Sequence, residues 1–269
     1  MLKAGIDIQL SNSEKLLAEK EGSSNGYCEH RRKKPRAAWV TYLYLSQDPI
    51  GIEEWNAVVE DPKKNDMHTA NQLRFSLPSR LIAKVFLFRW IYKGPAFAYA
   101  ADPDFKPVSS SVEFWQDIID QYYNKYKNIY NIHKHYIKTV HETGILVSPF
   151  GREYEFKKYY KQGSMEYSEY EITNYPNQGL GADVMAVYRA TVKSRFSKYK
   201  LNSLLISTIH DSVSADVIES EKEIVKEIFL DSFKVLPRNI EKCLGVKWNL
   251  PMLGEISEGP NLKDLTEIK

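Results

Sequence analysis

The chain has 269 residues, 43% of them hydrophobic, enough for one large domain or two small ones with a real core. No run of eighteen apolar residues occurs, which argues against a membrane span, and Met1 to Gly22 mixes Lys and Glu among its apolar residues, unlike a signal peptide. The net charge of +2 neither demands nor excludes a nucleic-acid partner. The two cysteines, Cys28 and Cys243, form no disulfide framework or metal spacing and fit a reducing, cytosolic setting.

No internal repeat is present. Residues 1–38 are atypical of the rest and hold a basic run, His30 to Arg36, that reads either as a solvated segment or as a phosphate contact. Pro49 to Val59 reads as a helix with Asp48 as its cap. Ser79 to Tyr92 reads as a helix that is apolar around most of its circumference. Val112 to His141 reads as one long amphipathic stretch. After Gly144 the character changes. Ile145 to Val147 and Tyr154 to Phe156 look like strands around a turn, and Gln178 to Tyr199 like a helix. Leu204 to Ile209 and Val213 to Val217 look like strands joined by a tight polar turn, followed by a helix over Lys222 to Lys234. The fold class is α+β, a helical half over 39–143 and then helices with a small antiparallel sheet over 144–269. The strands of 145–156 and 204–217 are expected to share that sheet. The 18 tyrosines serve either an aromatic core or stacking platforms for bases and sugars; composition does not decide between them.

Three groups of residues carry chemistry. Arg80, Lys84, Phe88 and Tyr92 recur every fourth residue and form one slowly drifting helical stripe. Two cations followed by two aromatics suit a nucleoside triphosphate; the alternative is a buried helix whose long cations reach water. His210-Asp211-Ser212 stands between two strands, where a hairpin can present a carboxylate to Mg²⁺, although such a tripeptide is often only a turn. Asn174-Tyr175-Pro176-Asn177-Gln178-Gly179, then Ala182-Asp183, offers amides to nucleic acid, or is an ordinary turn and helix cap.

In their order and spacing these groups resemble family A DNA polymerases, and more closely the phage branch. Arg80, Lys84, Phe88 and Tyr92 match R-x-x-x-K-x-x-x-F-x-x-x-Y. Asn174, Pro176, Gln178, Gly179, Ala182 and Asp183 match N-x-P-x-Q-G-x-x-A-D. His210-Asp211-Ser212 matches H-D-[ES]. Leu45 to Pro49, Asp66 to Thr69 and Pro251 to Asn261 are also similar, so the likeness runs over roughly residues 39–263. The resemblance implies a fingers region over 39–143 and a palm over 144–269. It implies Arg80 and Lys84 on the triphosphate, Phe88 on the base and sugar, and Tyr92 near the template base. Asp211 would bind Mg²⁺ in a two-ion site, and His210, Gln178 and Asn174 would contact primer or template. The partners implied are primer-template DNA, dNTPs and, for the missing polymerase parts, a second chain. The setting implied is cytoplasmic, in a host cell if phage-encoded.

The family's other palm aspartate sits on a strand reading D-x-S-x-[IL]-E-x-R. Counting back from Ser46 places Lys33 at its Asp, Ala38 at its Glu and Val40 at its Arg. One recognisable carboxylate holds two cations weakly, so the isolated chain is expected to extend primers poorly. A non-catalytic DNA-binding protein on the polymerase fold is the competing reading, and a single-subunit RNA polymerase a third. Lys93 stands where the family has Gly, which is expected to alter the end of the 79–92 helix.

Overall fold

The structure, a computed structural model, describes residues 4–9, 37–62, 64–161, 163–209, 211–262 and 264–268, with the backbone alone for 4–9, 37 and 268. The chain divides into two compact units, one of 41–179 and one of 1–40 with 180–269. The division falls inside helix α1 (Ala37–Ser46) and inside the long helix α8 (Glu169–Lys198), not at Gly144 where the sequence changes character. The class is α+β.

The 41–179 unit continues from α1 through α2 (Pro49–Glu60), α3 (Met67–Arg74), α4 (Arg80–Ile91), α5 (Ala96–Ala101), α6 (Val112–Lys125) and α7 (Lys127–Thr143). Asp48 caps α2 as its position before Pro49 predicts, accepting the Gly51 N–H at 3.0 Å. Its second oxygen accepts the Asn128 N–H at 3.0 Å, so the same buried carboxylate also holds the start of α7. That capture helps explain why Val112 to His141 is two helices rather than one. Tyr126, at the break, leaves helical geometry and sends its Oη to Glu54 at 2.8 Å. Next to it, Lys125 reaches Glu54 at 2.6 Å and donates to Asn71 Oδ1 at 2.7 Å. An amphipathic pattern cannot announce a break made by such long-range partners.

Aromatic rings fill this unit. Phe75 stacks on Tyr122 with centroids 4.1 Å apart, Phe86 lies 4.7 Å from Tyr99, and Trp90 lies 5.3 Å from Tyr122. Tyr42, Tyr99, Tyr122 and Tyr126 are all fully buried, so at these positions the core reading of the tyrosines holds. His133 sits among them. One ring nitrogen bonds the Tyr123 hydroxyl at 3.0 Å, and the other meets the Tyr42 hydroxyl and the Ile91 carbonyl. Burial, reinforced by Lys93 and opposed by the Ile91 carbonyl, lowers its pKa to about 3. The ring is thus neutral and ties α7 to the end of α4.

Two hairpins follow. β2 (Ile145–Val147) pairs with β3 (Glu153–Glu155), and β4 (Tyr159–Lys161) with β5 (Ser164–Glu166). Each is a separate two-stranded sheet, which corrects the expectation that 145–156 joins the strands of 204–217. The reason lies in where the apolar side chains go. Leu146 and Phe156 pack on Val140 of α7 and Ile172 of α8, so the first hairpin is seated on helices.

Helix α8 begins at Glu169, nine positions before the expected Gln178, and carries Pro176 inside it. Proline forfeits one helical N–H bond, but Ile172, Pro176 and Leu180, spaced four apart, are buried along the helix and outweigh it. Gly179 has a packing reason to be glycine: a Cβ there would stand 1.9 Å from Tyr154 Oη. Gly179→Ala should therefore destabilise the protein by roughly 1–3 kcal/mol through overpacking, despite alanine's better helix propensity. Thermal or urea unfolding reads this, and Gly179→Ala combined with Tyr154→Phe should recover part of the loss.

In the second unit the sheet order is β6-β7-β1-β8-β9, antiparallel throughout. The strands are β1 (Ala4–Gln9), β6 (Leu204–Ile209), β7 (Ser212–Val217), β8 (Glu255–Gly259) and β9 (Thr266–Ile268). Val213, Ala215 and Val217 of β7 are buried. Helix α9 (Lys222–Leu244) runs ten residues past the expected end, through Pro237, to a left-handed Gly245 with φ 70°. Tyr188 of α8 stacks on Phe233 of α9 at 4.2 Å and donates its hydroxyl to the Phe229 carbonyl at 3.2 Å. Strand β1 was not expected; it lies in the segment read as atypical. The basic run of 30–36 and Lys33 lie outside the described residues.

Candidate nucleotide and metal site

Ser79 caps α4, its Oγ accepting the Ile82 N–H at 3.2 Å. Arg80, the first residue of the helix, grips Asp66 in a two-pronged pair, Nε on one carboxylate oxygen and Nη2 on the other at 2.9 Å. Asp66 also caps α3 through Thr69, accepting its N–H at 3.3 Å and its hydroxyl at 2.6 Å. Burial alone would raise the Asp66 carboxyl, but the hydrogen bonds of Arg80 and Thr69 pull it well below the ordinary carboxylate range. Lys84, half-buried on the same stripe, is lowered to about 8, by burial first and then by the Arg80 charge, against the pull of Asp66. Phe88 is buried and meets His68 edge-on at 6.0 Å. The stripe thus combines a pre-paired arginine, a weakened lysine and a covered ring. Asp66 as a helix cap was within reach of sequence reading, since a carboxylate ahead of Thr69 is a cap pattern; its pairing with Arg80 was not.

Tyr92 is the C-cap of α4, and the helix ends in a 6→1 and 5→2 hydrogen-bond pattern: Gly94 N–H to Arg89 O at 2.8 Å and Lys93 N–H to Trp90 O at 2.9 Å. Lys93 takes the left-handed position, φ 57°, where glycine is usual. The helix end therefore keeps glycine's geometry with a lysine in it, which corrects the expectation of an altered terminus. The Lys93 ammonium lies 3.1 Å from Glu169 at the start of α8.

The amide group expected to face nucleic acid is used mostly within the protein. Gln178 Nε2 donates to Tyr92 Oη at 3.0 Å, as does Asn177 Nδ2. Asn174 Oδ1 is buried with no hydrogen-bond partner among the described residues. Asn177 was read only as part of that amide-bearing run, because the family pattern leaves its position open. Asp183 is half-buried on α8.

Asp211 stands at the turn between β6 and β7, half-buried rather than fully open. Ser212 closes the turn, its hydroxyl donating to the Ile209 carbonyl at 2.9 Å. His210 lies outside the described residues. Strand β1 runs antiparallel beside β7, with Gln9 opposite Ser212 and Asp7 opposite Ser214. Hard divalent cations favour oxygen ligands, of which the Asp211 carboxylate is a candidate, and the backbone of a strand that carries a second aspartate, Asp7, lies alongside the same hairpin. No group of three or more His, Cys, Asp or Glu able to hold a metal exists among the described residues. Among the same residues no helix is long and apolar enough to cross a membrane.

The model of DNA polymerase family A matches residues 63–264, and the chain belongs to that family. It is similar to DNA polymerase I of Caldicellulosiruptor bescii, 26% identical over 147 residues, which is 54% of this chain and 16% of that protein. Among solved structures it is similar to the POL domain of Pol1 from M. smegmatis in complex with DNA primer-template and dNTP. There the TM-score is 0.71 at 16% identity, covering 96% of this chain and 39% of that one, a likeness of fold. The chain thus spans well under half the length of each.

Proposed function

We propose that the chain forms the palm and fingers of a template-directed DNA polymerase of the phage type, adding dNTPs to a primer 3′ end. The observation that carries the reading is α4, where Arg80 and Lys84 stand one turn apart on a helix capped by Ser79. Arg80 would exchange its bond to Asp66 for triphosphate oxygens, and Lys84 would add a second charge. Phe88 would pack on base and sugar, Tyr92 would sit near the template base, and Asn174, Gln178 and His210 would meet primer or template. Asp211 would hold Mg²⁺, which when bound offsets the phosphate charge and activates the primer hydroxyl. The second acid is assigned to Asp7 rather than to Lys33's position. The support is the pairing of β1 with β7, which brings an aspartate-bearing strand to the hairpin of Asp211.

The test is addition of one nucleotide to a labelled primer–template with Mg²⁺ or Mn²⁺. Incorporation of the template-matched dNTP supports the reading. DNA binding without incorporation under either metal would favour a non-catalytic binding protein on the same fold, and incorporation of rNTPs in preference to dNTPs would favour an RNA polymerase.

A further inference from the structure

Tyr92 is held more tightly than packing requires. Asn177 Nδ2 and Gln178 Nε2 both donate to its Oη at 3.0 Å. Asn177 Oδ1 in turn accepts the Thr41 hydroxyl at 2.5 Å. Asn177 is 1% exposed. The Tyr92 ring is flanked edge-on by Tyr42 at 6.4 Å and Tyr170 at 6.1 Å. Edge contacts limit a ring's tilt but leave it able to slide, whereas two donors on one phenolic oxygen fix its far end. Asn177 is the middle of a chain, Thr41 to Asn177 to Tyr92, that joins α1, α8 and the end of α4. The polymerase pattern asks for Asn174, Pro176 and Gln178 and leaves position 177 open, so the Asn177 arm of this clamp lies outside that pattern.

We propose that Asn177 is a positioning residue for nucleotide selection: by pinning Tyr92 it keeps the ring that faces the template base in one place. The inference rests on the polymerase reading. A correctly shaped base pair fits beside a fixed ring, while a mispair needs the ring to yield. Loosening the ring therefore helps the mispair and leaves the match nearly unaffected.

The experiment measures dNTP affinity on primer–template DNA with Ca²⁺, using a fluorescent template, for matched and mismatched nucleotides on the full chain. Asn177→Leu should lower the match-to-mismatch ratio about tenfold, the size of one lost buried hydrogen bond. Tyr92→Phe, which keeps the ring and removes the acceptor shared with Gln178, should lower it at least as much. The double variant should do no worse than Tyr92→Phe, because the Asn177 contact acts through that hydroxyl. Asn177→Gln, which retains a donor amide, should recover part of the ratio. Thermal melting checks each fold; if Asn177→Leu melts, Tyr92→Phe decides. A parental ratio in folded Tyr92→Phe or Asn177→Leu, or equal loss of matched and mismatched binding, overturns the role of Asn177 alone. No nucleotide bound by the unaltered chain on primer–template overturns the polymerase reading itself.

Discussion

Asp211→Asn is expected to lower single-nucleotide addition by about 10³-fold or more, since several kcal/mol of charge stabilisation go with the metal. Asparagine keeps the size of the side chain and the turn, whose closing bond runs from Ser212 to Ile209. Fold stability should change little. Mn²⁺ titration gives a readout independent of turnover: the parent should bind the ion, and Asp211→Asn should not. Asp7→Asn should weaken Mn²⁺ binding alongside it. Asp216→Asn, on β7 opposite Gly5 and away from the turn, should leave it unchanged. Parental Mn²⁺ affinity in Asp211→Asn would remove the hairpin from the metal site. Parental affinity in Asp7→Asn alone would return the chain to a one-acid site, with the feeble extension that the sequence suggests.

Lys84→Ala should weaken dNTP binding by about 1.5–3 kcal/mol, the worth of a charge-assisted contact, or roughly 10- to 150-fold. A pH series sharpens the assignment. With its pKa lowered to about 8, Lys84 is mostly charged at pH 7 and mostly neutral by pH 9 in the free protein. Parental affinity should therefore fall as pH rises through that range, while Lys84→Arg, which stays charged, should show a flatter profile. The stability effect has the opposite sense. The folded chain holds Lys84's proton less tightly than the unfolded chain does, so between about pH 8 and the ordinary lysine value this residue makes folding more favourable as pH rises. A drop in nucleotide affinity without loss of stability thus separates ligand binding from unfolding. An affinity independent of pH in the parent would detach Lys84 from the phosphates.

The parts of this fold that were readable carry their cause locally. Asp48 before Pro49, Ser79 before Arg80 and the strand–turn–strand around Asp211 all form as their neighbours dictate. So does the four-residue stripe of α4. The rest depends on partners far along the chain. The break at Tyr126 needs Glu54 and Asp48. The early start of α8 overrides Pro176 by burial that sequence spacing alone does not weigh. β1 is a six-residue strand in a polar, charged segment, and only its pairing with β7 and β8 gives it meaning. In the candidate site the ligand-facing residue types were readable, but not their internal engagements. Arg80 is held by Asp66, Phe88 is covered beside His68, and Gln178 is spent on Tyr92. Residue type and spacing report what a side chain is able to bind; they do not report what already occupies it.

The link between the end of α4 and α8 is made chiefly by neutral groups. Two amides meet a phenol, and the ion pair alongside, Lys93 with Glu169, is partly exposed and of the kind worth little. Ionic strength acts on the two kinds of contact unequally. It screens charges at a wet surface and displaces basic side chains from phosphates, but it has almost no purchase on a buried amide–phenol bond. Salt therefore becomes a selective reagent on the proposed polymerase reading: it should strip nucleic acid from the chain while leaving Tyr92 and its clamp in place.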